Sequence, residues 1–111
     1  MDKQFFCYII TNIRKKTLYV GMTNDLEIRI MEHYQNRGEP KTFAGRYYCF
    51  YLLWFERFES AQDAIDREKQ IKKWSRWKKE ALIKESNPEM RFLNKQLTEW
   101  PPVSKVNRNL D

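Results

Sequence analysis

Apolar and polar residues change their spacing several times along the chain, and each change marks a structural element. Phe5 to Thr11 and Thr17 to Gly21 are rich in aromatic and β-branched residues and flank the polar stretch Asn12 to Lys16. That pattern predicts a β-hairpin turning near Arg14. From Asp25 the spacing becomes helical: Leu26, Ile30 and Tyr34 share a face, Thr23-Asn24-Asp25 offers capping side chains, and Arg37-Gly38 offers a stop. A first helix is expected over Asp25 to Asn36. Gly38 to Arg46 holds two of the three glycines and a proline and reads as a loop. The apolar run behind it predicts a third strand from about Tyr47 to Phe58. Ser60 precedes Ala61, Ala64, Ile65 and Ile71 at helical spacing, and Ser75 or Arg76 opens another helix through Ile83. Asn87-Pro88-Glu89 has the residue types of a helix start and predicts a short fourth helix.

Length and composition narrow the class. The chain has 111 residues, of which 41% are hydrophobic and 15% aromatic, enough for one domain with one modest core. A domain is expected over residues 1–99, with 100–111 as a polar, proline-bearing tail. Tyr47 to Phe55, the longest apolar run, has nine residues and falls well short of the roughly 20 that span a bilayer. The N-terminus lacks the pattern of a secretory signal, so a cytoplasmic location without membrane association is expected. Cys7 and Cys49 both lie in apolar runs and read as small buried hydrophobes rather than a disulfide or zinc site. Twenty-one Lys and Arg against 15 Asp and Glu give a net charge of +6. A positive charge of this size attracts polyanions, nucleic acid before acidic membrane, and equally serves solubility.

Three polar placements carry candidate chemistry. Glu68 falls between Ala61, Ala64 and Ile65 on the apolar side of its helix. A carboxylate there requires a cation, which is either a metal ion or a basic neighbour such as Arg67, Lys69 or Lys72. Arg29 and His33 stand four residues apart on the first helix and therefore share a face. Guanidinium and imidazole in one cleft suit phosphate chemistry, because Arg holds two phosphate oxygens and His donates or moves a proton. The pair equally fits a solvated helix edge. Tyr8 and Tyr19 come onto adjacent strands if the hairpin turns near Arg14. A phenol acts as general base only where cations lower its pKa from roughly 10; otherwise it simply packs.

Taken in order, these residues resemble the signature of the GIY-YIG nucleases. Phe6-Cys7-Tyr8 stands at the first tripeptide, of which only the tyrosine is kept, and Tyr19-Val20-Gly21 stands at the second. Arg29 follows ten residues after Tyr19, His33 one turn later, and Glu68 lies within Asp66-Arg67-Glu68-Lys69-Gln70. Lys72-Lys73-Trp74-Ser75-Arg76-Trp77 and Asn87-Pro88-Glu89 extend the likeness to the small stand-alone bacterial members, over about Phe5 to Leu93. One tripeptide alone carries little; the ordered set of five positions is specific.

The resemblance implies an α+β fold, a central three-stranded antiparallel sheet flanked by three to four helices. It also implies a metal-dependent endonuclease acting on nucleic acid, DNA ahead of RNA, with repair as a setting. One divalent cation per site, magnesium or manganese, would be held by Glu68. By the same likeness Tyr8 activates the attacking water, Tyr19 supports it, Arg29 neutralises charge on the phosphorane, and His33 moves a proton or orients Tyr8. Asn87 matches a late asparagine of the family and equally fits a helix cap. Met22 follows the second tripeptide where some relatives carry lysine, so no extra cation stands there.

Arg67 to Lys79 holds seven basic residues with Glu68 as the only acid, interleaved with Trp74 and Trp77. Arg67, Lys69, Lys72, Lys73 and Arg76 are the candidate contacts to a nucleic-acid backbone, while the tryptophans also fit the core. Two other classes remain open: a catalytically inactive nucleic-acid-binding module, and an interaction subunit with protein partners in a repair or mobile-element complex. Oligomeric state is not read from the sequence.

Overall fold

Strand β1 (Phe5–Thr11) alternates its side chains between two apolar layers, and the whole molecule is organised by that alternation. Cys7 and Ile9 enter one buried cluster with Val20, Leu53, Trp54, Ile71 and Ile83. Tyr8 and Ile10 enter the other, with Leu26, Ile30, Ala44 and Leu52. The computed structural model describes residues 3–102. Its sheet has three antiparallel strands in the order β2-β1-β3, with β2 at Leu18–Thr23 and β3 at Tyr51–Phe58. The Asn12 side chain closes the hairpin by accepting from the Lys16 N–H at 2.9 Å, and Lys15 adopts the left-handed backbone the turn needs at φ 58°. This is the expected α+β architecture. Among the described residues no helix is long and apolar enough to cross a membrane.

Each main helix starts on the cap that its sequence offers. Asp25 accepts from the Ile28 N–H at 3.0 Å to open α1 (Leu26–Gln35), which buries Leu26, Ile30 and His33. A short α2 (Phe43–Arg46) follows β2 and α1 in the chain. Beyond β3, Ser60 opens α3 (Ala61–Lys72) and Ser75 opens α4 (Arg76–Ser86), each accepting from the N–H three residues on. α1 lies on the Tyr8 layer, and Ile71 of α3 and Ile83 of α4 lie on the Cys7 layer.

Three expectations are corrected. The loop Gly38 to Arg46 contains α2, because Thr42 Oγ1 accepts from the Gly45 N–H at 3.0 Å and caps a single turn. The third strand begins at Tyr51, not Tyr47: Tyr48 turns into the left-handed region at φ 56°, which breaks the extended run. Asn87-Pro88-Glu89 ends a helix instead of starting one. Asn87 caps the C-terminus of α4, and the short last helix α5 is Asn94–Leu97.

Asn87 and Asn94 explain how the open edge of β3 is covered. The β1–β3 register shifts between Ile9 and Ile10, whose partners are Trp54 and Leu52, leaving Leu53 as an extra residue. Asn87 Nδ2 donates to the Leu53 carbonyl at 3.0 Å, and Asn94 donates to the Phe50 carbonyl at 2.9 Å while accepting from the Leu52 N–H at 2.8 Å. Side-chain amides thus replace a fourth strand. Trp100 packs on Tyr34 and Phe50 at 5.1 and 6.0 Å, so ordered packing continues past residue 99. The rest of the expected tail, residues 103–111, lies outside the described residues. Burial pushes the Cys7 thiol up to about 12 and the Cys49 thiol up to about 11, and both are free, buried side chains.

Candidate active site

The hairpin register brings Tyr8 opposite Gly21 and Ile10 opposite Tyr19, which places both tyrosines on the α1 side of the sheet. Gly21 has no side chain, and the Tyr8 ring leans from β1 across it onto the edge strand β2. A Cβ at Gly21 would stand 2.4 Å from the Tyr8 hydroxyl oxygen and 2.5 Å from its Cζ. The glycine of Tyr19-Val20-Gly21 is therefore a seat for the Tyr8 phenol.

α1 delivers the second half of the site. The Tyr8 hydroxyl and His33 Nε2 are 2.7 Å apart, both side chains being buried. The His33 ring lies edge-on to Tyr8 and Tyr19 with centroids at 5.7 and 5.5 Å. Burial raises the Tyr8 pKa above the ordinary phenol value, and the charge of Arg29 offsets part of the rise. Burial first, and Arg29 second, hold His33 down at about 4. At neutral pH both groups are uncharged. Which group donates follows the tautomer of His33, and with the neutral ring's proton on Nδ1 the Tyr8 O–H donates to His33 Nε2. Arg29 also holds Glu32 at 3.0 Å.

Linkage makes the His33 shift measurable. Below pH 6.5 the unfolded chain takes up a proton that folded His33 refuses until about pH 4. Stability contributed by the neutral ring is therefore full above 6.5 and is lost as pH falls to 4, by about 3 kcal/mol. Urea unfolding across this window should show a steeper loss in the wild type than in His33→Gln; parallel curves would contradict the assignment.

Glu68 sits on the stripe of α3 shared by Ala64 and Ile71, with its side chain only 20% exposed. Its cation is Lys72, whose Nζ is 3.2 Å from the carboxylate. Glu68 is near enough to Tyr8 for its charge to add to the rise in the phenol pKa. Among the described residues no three His, Cys, Asp or Glu side chains gather as a metal cage. One carboxylate with a movable, half-exposed lysine fits a hard cation that keeps several waters and takes phosphate oxygens as its other ligands. Magnesium and manganese both meet that description.

The remaining predicted residues separate into free and engaged groups. Lys69 and Lys73 are exposed. Arg67 is tied to Glu56 and Gln70 at 3.0 and 2.8 Å, and Lys72 to Glu68. Arg76 pairs with Glu80 at 2.7 Å and donates to the carbonyls of Lys15 and Lys16, fastening α4 to the hairpin turn. Asn87 places its amide on the backbone of Leu53 and Arg91. Of the tryptophans, Trp74 packs against the core and Trp77 is 79% exposed. The sequence offered no sign of the Arg76 clamp, which spans 60 residues. Phe43 was also missed, although its ring stacks on Tyr19 at 6.1 Å.

Residues 4–81 match the family described as the GIY-YIG catalytic domain. A UPF0213 protein of Bacillus pumilus is 33% identical over 85 residues, covering 77% of this chain and 85% of its own length. A UPF0213 protein of Haloquadratum walsbyi is 34% identical over 85 residues, with 77% and 92% covered. The solution structure of UPF0213 protein BH0048 from Bacillus halodurans superposes with a TM-score of 0.51 at 28% identity, covering 86% of this chain and 99% of that one.

Proposed function

This chain belongs to the GIY-YIG family, and from that premise we propose that it is a metal-dependent endonuclease that hydrolyses phosphodiester bonds of DNA. The observation that carries the proposal is the Tyr8 hydroxyl held 2.7 Å from His33 Nε2, with the charge of Arg29 drawing the pKa of that phenol down and the charge of Glu68 pushing it up. A phenol with an acceptor behind it is a proton relay. As water attacks phosphorus, its proton passes to the Tyr8 oxygen while the Tyr8 proton passes to His33 Nε2, and the bond to the leaving oxygen breaks. The relay suits a phenol whose pKa is raised, because no isolated phenolate has to form in the buried site. Arg29 takes the negative charge that builds on the phosphoryl oxygens, and a phosphate drawn to Arg29 offsets the charge that depresses His33. Tyr19 packs against the imidazole and fixes its plane.

Glu68 would hold the cation once Lys72 swings aside. When bound, magnesium or manganese supplies charge neutralisation at a phosphate oxygen and at the leaving oxygen. Lys69 and Lys73 would meet the backbone of the substrate, with Arg67 and Arg76 joining where their ion pairs open. Asn87 enters this reading as a clamp on β3 rather than as a reacting group. A cytoplasmic setting and a role in DNA repair accord with it.

The test is cleavage of linear, nicked, branched and single-stranded DNA by the purified chain. Products should form with magnesium or manganese and vanish with a chelator. Binding without cleavage under every metal condition would favour an inactive nucleic-acid-binding module instead.

A further inference from the structure

Between α1 and β3 the chain leaves three aromatic rings about half exposed. Phe43, Tyr47 and Tyr48 are 50%, 43% and 54% exposed, whereas the aromatics of a domain this small normally close its core. Two of them, Phe43 and Tyr47, continue the candidate active site. The Phe43 ring stacks on Tyr19 at 6.1 Å with 26° between planes, and Tyr47 stands 4.9 Å beyond Phe43. Tyr48 reaches its position through the left-handed backbone at φ 56°, a conformation that costs energy for a bulky residue and directs its ring over Gly38. The same segment carries Arg37, Lys41 and Arg46 against Glu39 alone, so it is net positive.

We propose that Phe43 and Tyr47 are a stacking platform for unpaired bases, which directs the site to single-stranded DNA or to a single-stranded segment beside the cut. The proposal rests on the endonuclease reading for the identity of its ligand. Rings at half exposure offer faces to bases, and every base has a face to stack. In a duplex those faces are already stacked on each other, and an aromatic surface in a net-positive segment gains only phosphate contacts there. The platform therefore discriminates by base pairing rather than by sequence, which suits a chain whose basic residues contact backbone. Continuity with Tyr19 puts the first stacked base next to the phosphate that Arg29 would hold.

The experiment is fluorescence anisotropy at fixed salt, with a chelator present so that nothing is cut. The probes are oligothymidylate DNA, an abasic strand of equal length, a duplex and oligouridylate RNA. Phe43→Leu and Tyr47→Leu keep apolar bulk and remove the rings, and thermal melting verifies their folding. The wild type should bind oligothymidylate more tightly than the abasic strand and the duplex. Each variant should lose about tenfold on oligothymidylate and change little on the other two DNA probes. Equal binding of abasic and thymidylate strands, or equal losses on duplex, would overturn the platform. Tighter binding of the RNA than of the DNA would overturn the assignment to DNA. Ring-dependent binding by a chain that cuts nothing when metal is restored supports the platform and sinks the nuclease reading. Metal-dependent cutting with ring-independent binding does the reverse.

Discussion

Tyr8→Phe is expected to slow cleavage by about a thousandfold, and Glu68→Ala to slow it by at least as much, while both variants stay folded. The phenylalanine keeps the ring across Gly21 and removes only the oxygen that meets His33 Nε2 at 2.7 Å. The cost to stability should be about 1 kcal/mol, the worth of one buried hydrogen bond. Glu68→Ala releases Lys72 from a partly exposed ion pair, which costs little. Single-turnover cleavage and a melting curve on the same preparations separate lost chemistry from lost fold. The two variants differ in their response to metal: Glu68→Ala should regain part of its rate at high manganese, and Tyr8→Phe should regain none. A Tyr8→Phe rate within about tenfold of wild type would remove the phenol from the reaction and leave water activation to another group.

The sequence made the regular elements legible because their signals are local. Asp25, Ser60 and Ser75 cap the helices that follow them, and the polar stretch from Asn12 separates two apolar strands. Glu68 was legible as an acid on an apolar stripe, and Arg29 with His33 as a pair on one face. What failed was non-local. Tyr47 to Phe50 continues the apolar run, so nothing in composition announces that Tyr48 leaves the extended region. Asn87 has the chemistry of an N-cap, and only the register shift that strands Leu53 shows why its amide is needed elsewhere. Arg76 sits in a run of cations, and its bonds to the hairpin-turn carbonyls become visible only once that turn is folded against α4. The site's hydrogen bond has the same origin, since Tyr8 and His33 are 25 residues apart. Family likeness supplied that pairing; composition and periodicity did not.

Gly21→Ala is the second large effect, and its cause is visible only in the folded chain. Gly38 is the glycine with a positive φ, so alanine at Gly21 meets no backbone objection. The objection is the Tyr8 phenol: the new Cβ would stand 2.4 Å from its oxygen, 2.5 Å from Cζ and 3.0 Å from Cε2 of Tyr19. Tyr8 is 1% exposed, bonded to His33 and part of one buried cluster with Leu26 and Ile30, so its ring cannot yield into solvent. Overpacking of this kind costs about 3 kcal/mol, and relief comes only by tilting the ring away from His33. Cleavage should then fall to the level of Tyr8→Phe. The clash involves Cζ as well as the oxygen, so Tyr8→Phe in the same chain should not restore stability. Tyr8→Leu should, because leucine does not reach across β2. A double-mutant cycle therefore predicts that Gly21→Ala costs several kcal/mol with tyrosine or phenylalanine at position 8 and less than about 1 kcal/mol with leucine. Equal costs in all three backgrounds would mean that Gly21 is needed for a reason other than seating the phenol. A coupling of the predicted sign ties the glycine of the second tripeptide to the tyrosine of the first, and makes one physical unit of two motifs that are 13 residues apart.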